Sequence, residues 1–114
     1  MILVIGGAFQ GKTDFAKKEL NISEDKICNA FHLKMRKWLL SGKNPRDLTA
    51  QILEDKNIDA VICDEIGLGI VPVDRFERCW REETGRALCE LAKAAEKVYR
   101  VQCAIPTCIK GAEI

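Results

Sequence analysis

Two uninterrupted apolar runs mark where the chain forms buried strands. Ile2–Ile5 ends at a glycine pair, and Asp59–Cys63 ends at an acidic pair. Runs of this length without polar alternation are typical of strands covered on both faces in a parallel sheet. Weaker runs predict two further strands, over residues 26–31 and 98–104, with Ile105-Pro106 closing the last one.

Between these runs, apolar residues recur at intervals of three and four, as on one face of a helix. Helices are predicted from Lys12 to about Leu20, over His32–Leu40, from Pro45 to Asp55, and from a cap at Asp74 to about Ala95. The glycine-rich stretch 66–72 predicts a loop. This order of elements predicts one α/β domain over residues 1–114, with a small, mainly parallel sheet joined by right-handed crossovers.

Composition and net charge exclude some classes of binding partner. The 114 residues carry 18 Lys+Arg against 17 Asp+Glu, a net charge of +1, so no broad positive field is available for nucleic acid or an anionic membrane. The apolar run at the start is too short to span a bilayer and lacks the charged lead of a signal peptide. We therefore expect a cytoplasmic protein with neither nucleic-acid nor membrane partners, and a local anion site stays compatible with this charge.

The chain has six cysteines and one histidine. The cysteines are Cys28, Cys63, Cys79, Cys89, Cys103 and Cys108, and no two form a C-x-x-C pair. Without paired spacing or further histidines, a zinc site is disfavoured. We expect reduced thiols that pack as small hydrophobic side chains.

The strongest local motif lies directly after the first strand. It consists of Gly6, Gly7, Ala8, Phe9, Gln10, Gly11, Lys12 and Thr13, and it fits G-x-x-x-x-G-K-[ST] at every fixed position. Glycines let successive backbone N–H groups turn inward around a phosphate, and the following helix start adds positive potential. Lys12 would reach the β- and γ-phosphates of ATP or GTP, and the Thr13 hydroxyl would bind Mg²⁺. The alternative is a glycine-rich turn that binds no ligand.

Phosphate-loop chemistry also needs a carboxylate at the end of a neighbouring buried strand. Asp64 follows the second strand and would hold the metal, and Glu65 would act as a general base toward water or an acceptor hydroxyl. The alternative is that both residues only cap a loop. The two interpretations differ in metal dependence, because a carboxylate pair beside a triphosphate needs Mg²⁺ to offset its charge.

Beyond this motif, the chain resembles the adenosylcobinamide kinase/adenosylcobinamide-phosphate guanylyltransferase family of cobalamin biosynthesis. The resemblance covers residues 1–20 and about 58–110, and its most specific part is the segment Glu65–Pro72, which reads Glu-Ile-Gly-Leu-Gly-Ile-Val-Pro. Further matching positions are Ile2–Ala8, Gly11–Thr13, Arg75, Arg81, Gly85-Arg86, Leu91-Ala92, Ala94-Ala95, Val98, Val101, Ala104–Pro106 and Lys110.

The resemblance implies a three-layer P-loop NTPase fold of the RecA-like type, assembled as a homo-oligomer, a trimer in the family. It also implies phosphorylation of the aminopropanol hydroxyl of a corrinoid, adenosylcobinamide, from ATP or GTP, and then transfer of GMP through a guanylylated histidine. Gly6–Thr13 would bind the nucleotide phosphates, and Glu65 would lie at the active site. Arg75, Arg81 and Arg86 would contact phosphate or a neighbouring subunit, or remain solvated charges on a helix.

Two features depart from the family pattern. The family has a strand-helix unit before the glycine-rich stretch 66–72, and this unit is missing here. The strand Ala60–Cys63 therefore takes the place of two strands of the family, and Asp64 stands where the family usually has asparagine. The missing unit would leave apolar surface uncovered, which favours self-association. His32, with Arg36 and Trp38 after it, is the candidate for the guanylylated histidine, but the family's Arg-Pro is absent. The alternative is an ordinary residue at a helix start.

Three functions are therefore consistent with the sequence. The first is a Mg²⁺-dependent transferase in which Lys12 neutralises phosphate and Asp64 or Glu65 organises the metal and the acceptor. The second is a non-catalytic, oligomeric nucleotide-binding module. The third is a P-loop kinase for another small alcohol, since the motif does not specify the acceptor.

Overall fold

The computed structural model describes residues 1–67 and 71–111 and contains five strands and four α-helices within these ranges. The elements are β1 (Ile2–Gly6), α1 (Lys12–Asp14) continued by a π-helical segment (Phe15–Glu19), a 3-10 turn (Glu24–Lys26), β2 (Ile27–Cys28), α2 (Phe31–Leu40), α3 (Pro45–Glu54), β3 (Ala60–Asp64), α4 (Arg75–Ala94), β4 (Lys97–Gln102) and β5 (Ile105–Lys110).

The strands form one five-stranded sheet in the order β2-β3-β1-β4-β5. The pairs β2–β3, β3–β1 and β1–β4 are parallel, and β5 pairs antiparallel with β4 at one edge. The predicted mainly parallel α/β sheet is confirmed. Because β1 and β3 are neighbours, Gly6 pairs with Asp64 in register, and the two carboxyl ends meet at one place.

Alternating residues of the central strands pack into two separate cores. Leu3 and Val61 face a cluster that α2, α3 and α4 cover, whereas Val4 and Ile62 face the segment that contains Phe15. Successive side chains of a strand point to opposite faces, so a continuous apolar run is what such two-sided burial requires. The result is a layer of helices on each side of the sheet.

Side-chain caps lie at the starts of α3 and α4. Asn44 accepts a hydrogen bond from the Arg46 amide ahead of α3, and Asp74 accepts one from the Glu77 amide ahead of α4. Such caps satisfy amides that have no partner inside the helix. Across residues 1–67 and 71–111, no helix combines the length and the apolar character needed to cross a bilayer.

Two predicted boundaries were wrong. The strand expected over residues 26–31 is reduced to Ile27–Cys28, because Ala30 has a left-handed backbone (φ 52°) and α2 begins directly after it. The last strand does not end at Ile105-Pro106: it ends at Gln102, and Ile105 opens the further strand β5. A proline is compatible with β5 because that strand lies at an edge of the sheet.

The turn between β4 and β5 holds two residues in an unfavourable conformation. Cys103 and Ala104 link the paired residues Gln102 and Ile105, and both have positive φ, 50° and 63°. This is the type I′ pattern, for which Asn-Gly is the usual sequence. The absence of a glycine explains why a hairpin was not predicted here.

We expect Ala104→Gly to stabilise the protein by about 0.5–1 kcal/mol. Glycine adopts a left-handed backbone without the steric penalty of a Cβ, and the greater conformational entropy of glycine in the unfolded chain offsets part of this gain. Chemical denaturation followed by circular dichroism measures the change. The control is Ala50→Gly in α3, an exposed position, which should instead lose about 1 kcal/mol. Equal losses in both variants would contradict the strain at residue 104.

The cysteines divide by burial. Cys28 and Cys63 are buried, and burial raises the pKa of both thiols, that of Cys63 to about 12. These two fit the expectation of cysteine as a small hydrophobic side chain. Cys79, Cys89 and Cys103 are exposed, so the same expectation is wrong for them.

Candidate functional site

A cavity of about 370 Å³ opens where β1 and β3 end. In open α/β sheets, ligands bind outside the carboxyl ends of the strands. The cavity is lined by residues 8–14 together with Asn29, Ala30, His32, Ile62 and Asp64. The structure therefore brings the glycine-rich motif, the histidine and the strand-end aspartate to one place.

The loop between β1 and α1 offers unused backbone donors. In the described part of the chain, the amides of residues 7–11 donate no hydrogen bond. Gly11 has a left-handed backbone (φ 91°), and a Cβ on Gly6 would lie 2.4 Å from the carbonyl oxygen of Val101. The two glycines are thus required by the path of the loop, which leaves several N–H groups available to an anion.

Lys12 is the buried cation of the cavity. Only 6% of the residue is exposed. Its Nζ donates to the Gly7 carbonyl oxygen at 2.6 Å and lies 2.7 Å from Asp64 Oδ1. The pairing of β1 with β3 brings Asp64 within reach of this amine, so the ion pair follows from the order of the strands. Without ligand, the lysine is neutralised by Asp64 and held against the loop.

His32 lies in the first turn of α2 and contacts the same aspartate. The Asp64 amide donates to His32 Nδ1 at 3.1 Å, and Nε2 lies 3.4 Å from Asp64 Oδ2. Because Nδ1 accepts a hydrogen bond, the ring proton resides on Nε2. Burial lowers the pKa of His32; Asp64 opposes this effect and Lys12 adds to it. The ring is therefore neutral at pH 7, and both its nitrogens are directed at Asp64.

The indole of Trp80 fixes the backbone at this position. Its Nε1 donates to the His32 carbonyl oxygen at 2.7 Å. One turn further along α2, Arg36 pairs with Glu77 at 2.7 Å and lies 4.8 Å from the Trp80 ring. Arg36 thus joins α2 to α4, and Trp38 donates to the Asn44 carbonyl oxygen outside the cavity.

Glu65 is not among the residues that line the cavity. Its Oε1 accepts a hydrogen bond from Arg100 Nε at 2.8 Å, and its amide donates to the Gly6 carbonyl oxygen at 2.8 Å. Adjacent residues at a strand end face opposite sides of the sheet, so Asp64 and Glu65 separate. Sequence reasoning missed Arg100. The available signal was a charged residue within the otherwise apolar run Val98–Val101.

The hairpin of β4 and β5 holds the opposite side of the loop. The Ala104 amide donates to the Gln10 carbonyl oxygen at 2.9 Å, and the Cys103 amide donates to Gln10 Oε1 at 2.6 Å. The Gln10 side chain is therefore occupied by the protein, although it also lines the cavity. This contact depends on β5, which the sequence did not predict.

The donor set of the cavity suits Mg²⁺ bound together with phosphate. Thr13 and Asp64, the two oxygen donors expected from the sequence, both line it. Within the described ranges no three His, Cys, Asp or Glu side chains come together as a metal cluster. Mg²⁺ usually keeps several waters and takes one or two protein oxygens plus substrate phosphates, so these residues fit it.

The three candidate arginines of α4 are dispersed along the helix. Arg81 donates to the carbonyl oxygen of Gly67, and Arg86 pairs with Glu83 at 2.8 Å. Arg75 is exposed at the first position of α4. The centre of the glycine-rich segment that carried the resemblance, residues 68–70, lies outside the described residues.

The chain matches the model of a known protein family. A family model described as cobinamide kinase / cobinamide phosphate guanyltransferase matches residues 29–109. No curated protein matches the chain. The matched span includes His32, Asp64, Glu65 and Arg100. It does not include the phosphate-loop motif Gly6–Thr13, which stands on its sequence pattern and geometry.

Proposed function

Because the chain belongs to the cobinamide kinase / cobinamide phosphate guanyltransferase family, we propose that it phosphorylates the aminopropanol hydroxyl of adenosylcobinamide from ATP or GTP. Family membership supports a nucleotide-using transferase of cobalamin biosynthesis. The observation that carries the finer proposal is the buried Lys12–Asp64 pair beside a loop with unused amides. That arrangement suits a phosphate chain, and we propose that the fold is of the three-layer, RecA-like P-loop type.

The ion pair suggests how nucleotide is accepted. A triphosphate that enters the loop offers Lys12 a stronger partner than the Gly7 carbonyl oxygen, and charge-assisted contacts to phosphate favour that exchange. Asp64 would then lose its counter-charge. Mg²⁺ supplies it when bound, and Thr13 and Asp64 would hold this ion where it offsets the charge of the β- and γ-oxygens. Metal and nucleotide are thus expected to bind together.

Phosphoryl transfer requires little covalent chemistry from the protein itself. The residues that line the cavity would position the nucleotide and stabilise the negative charge of the transition state. Lys12 supplies charge and the loop amides supply dipoles. In this proposal, Glu65 follows β3 at the carboxyl edge of the sheet and orients the acceptor.

Guanylyl transfer through His32 is outside the proposal. The family carries such a step, and His32 does line the cavity. However, both ring nitrogens contact Asp64 and only 7% of the residue is exposed. A nucleophilic nitrogen needs a free lone pair aimed at the α-phosphate.

Exposed apolar residues support a homo-oligomer, for which we propose the trimer implied by the family. Val71 and Val73 are 65% and 92% exposed, and Ile105 and Ile109 of the edge strand β5 are 67% and 56% exposed. Edge strands with apolar side chains favour pairing with another chain. The other partners would be the nucleotide and the corrinoid.

Incubation with γ-labelled ATP or GTP, Mg²⁺ and adenosylcobinamide tests the activity. We expect label in the corrinoid, none after chelation of the metal, and none with Asp64→Asn, which removes the carboxylate charge while retaining its shape. Bound nucleotide without labelled corrinoid would contradict the transferase and leave a binding module. Label in a simpler amino alcohol instead would identify a different acceptor. If the protein becomes covalently labelled by α-labelled GTP, and His32→Ala abolishes this labelling, then His32 does carry out the guanylyl step.

A further inference from the structure

One ion pair at the carboxyl edge of the sheet, between Arg100 and Glu65, has no role in the nucleotide binding proposed above. Arg100 Nε donates to Glu65 Oε1 at 2.8 Å, with the carboxylate side chain 15% exposed and the guanidinium side chain 38% exposed. A charged residue in an inner strand is costly unless it is paired. The pair with Glu65 meets this requirement for Arg100.

The topology of the sheet makes this contact a bridge across β1. Arg100 pairs in register with Ile5 of β1, which lies between β4 and β3. Glu65 follows β3 directly, and its amide donates to the carbonyl oxygen of Gly6. The side chain of Arg100 thus reaches over the end of β1 to a residue whose backbone is already fixed to the start of the phosphate loop.

Only one oxygen of the carboxylate is used by this bridge. Within the described ranges, Oε1 of Glu65 accepts from Arg100, and Oε2 accepts no hydrogen bond. A carboxylate has acceptor capacity on both oxygens, so a second partner can be added at Oε2 without loss of the first. Glu65 directly follows β3 at the carboxyl edge of the sheet, where ligands of open α/β sheets bind, so a ligand hydroxyl is a suitable donor for that oxygen.

We propose that Arg100 is a positioning residue, which fixes Glu65 so that Oε2 accepts a hydrogen bond from a hydroxyl group of the substrate. The inference rests on the proposed function for the presence of such a substrate. Two hydroxyl sources share this chemistry, the acceptor alcohol and the ribose of the nucleotide. The geometry of the pair assigns Arg100 an effect through Glu65, without contact to the reacting atoms.

The test compares Arg100→Ala, Glu65→Gln and the double variant in steady-state kinetics. We expect Arg100→Ala to lower kcat/KM about ten- to a hundredfold, because misplacement of an orienting group has effects of this size. In the Glu65→Gln background the same change should cost less than threefold, because the carboxylate that Arg100 orients is gone. Lys93→Ala, which removes a surface pair with Glu90 on α4, is the control and should leave kcat/KM unchanged.

The kinetic parameter that changes identifies the source of the hydroxyl. If the acceptor donates to Oε2, Arg100→Ala changes kcat or the KM for the corrinoid and leaves the nucleotide dissociation constant unchanged. If the ribose donates, the nucleotide dissociation constant rises, and the wild-type protein binds a deoxyribose nucleotide as weakly as the variant binds the ribose form. An equal loss in the presence and absence of the Glu65 carboxylate would overturn the proposal and indicate a purely structural role.

Failure of the proposed function is distinguishable from failure of this inference. Absence of corrinoid phosphorylation by the wild-type protein would overturn the function alone. Crystal structures of Arg100→Ala and Arg100→Lys test the positioning role without activity: the Glu65 carboxylate should leave its place in the alanine variant. If it keeps the same place without Arg100, the positioning role is wrong, whatever the kinetics.

Discussion

Replacing Lys12 by alanine should weaken nucleotide binding by roughly ten- to a hundredfold, because a charge-assisted hydrogen bond contributes about 1.5–3 kcal/mol. The effect is expected to be among the largest for a single side chain, since Lys12 is the buried cation of the loop cavity and contacts both Gly7 and Asp64. Isothermal titration calorimetry with GTP and with ATP, in the presence of Mg²⁺, measures the affinities.

The matched control for this variant is Lys17→Ala. Lys17 lies one turn further along the same helical segment and pairs with exposed Glu24 at 3.2 Å, so its removal changes the net charge equally. We expect its nucleotide affinity to match that of the parent protein. If Lys12→Ala also stayed within a few-fold of the parent, the glycine-rich loop would not be a phosphate cradle.

Gly6→Ala should destabilise the protein by about 2–5 kcal/mol, the sum of overpacking and backbone strain. The added Cβ would lie 2.4 Å from the carbonyl oxygen of Val101, a backbone atom that cannot move without displacing β4. A domain of this size has about 5–15 kcal/mol of stability in total, so the loss is a large part of it. Urea denaturation and the melting temperature measure it.

Gly85→Ala provides the contrasting substitution. Gly85 lies inside α4, and a Cβ there would meet nothing within 4 Å. Alanine has the higher helix propensity, so we expect a gain of about 0.5–1 kcal/mol. Comparable losses at residues 6 and 85 would mean that the close approach of β1 to β4 is not what requires glycine at residue 6.

Local chemistry explains which elements could be predicted. The runs Ile2–Ile5 and Asp59–Cys63 were identifiable because strands buried on both faces contain no polar alternation. The helix starts at Pro45 and Asp74 were identifiable because a proline in the first turn and a capping aspartate are both local signatures of a helix start. The strand β5 was not, because its turn, Cys103-Ala104, contains neither the glycine nor the asparagine that normally marks such a hairpin.

The same division applies to the candidate site. The loop motif, Lys12 and Asp64 were apparent from spacing alone, because a phosphate site needs glycines, an amine and a carboxylate in a fixed order. The hydrogen-bond partners of Glu65 and Gln10 were not apparent from the sequence. Both lie across a strand or a hairpin from the residues that bind them, at separations of 35 and 93 positions.

The sequence by itself therefore determined the α/β class, the phosphate-loop pattern and the resemblance to a family, since each depends on residue types at short, fixed intervals. The tertiary structure alone decided that Asp64 contacts Lys12 and His32 while Glu65 turns to Arg100. The physical reason is that strand order selects which chain ends meet, and the alternation of a strand sends adjacent carboxylates to opposite faces of the sheet. No pattern along the chain encodes the order in which its strands pair.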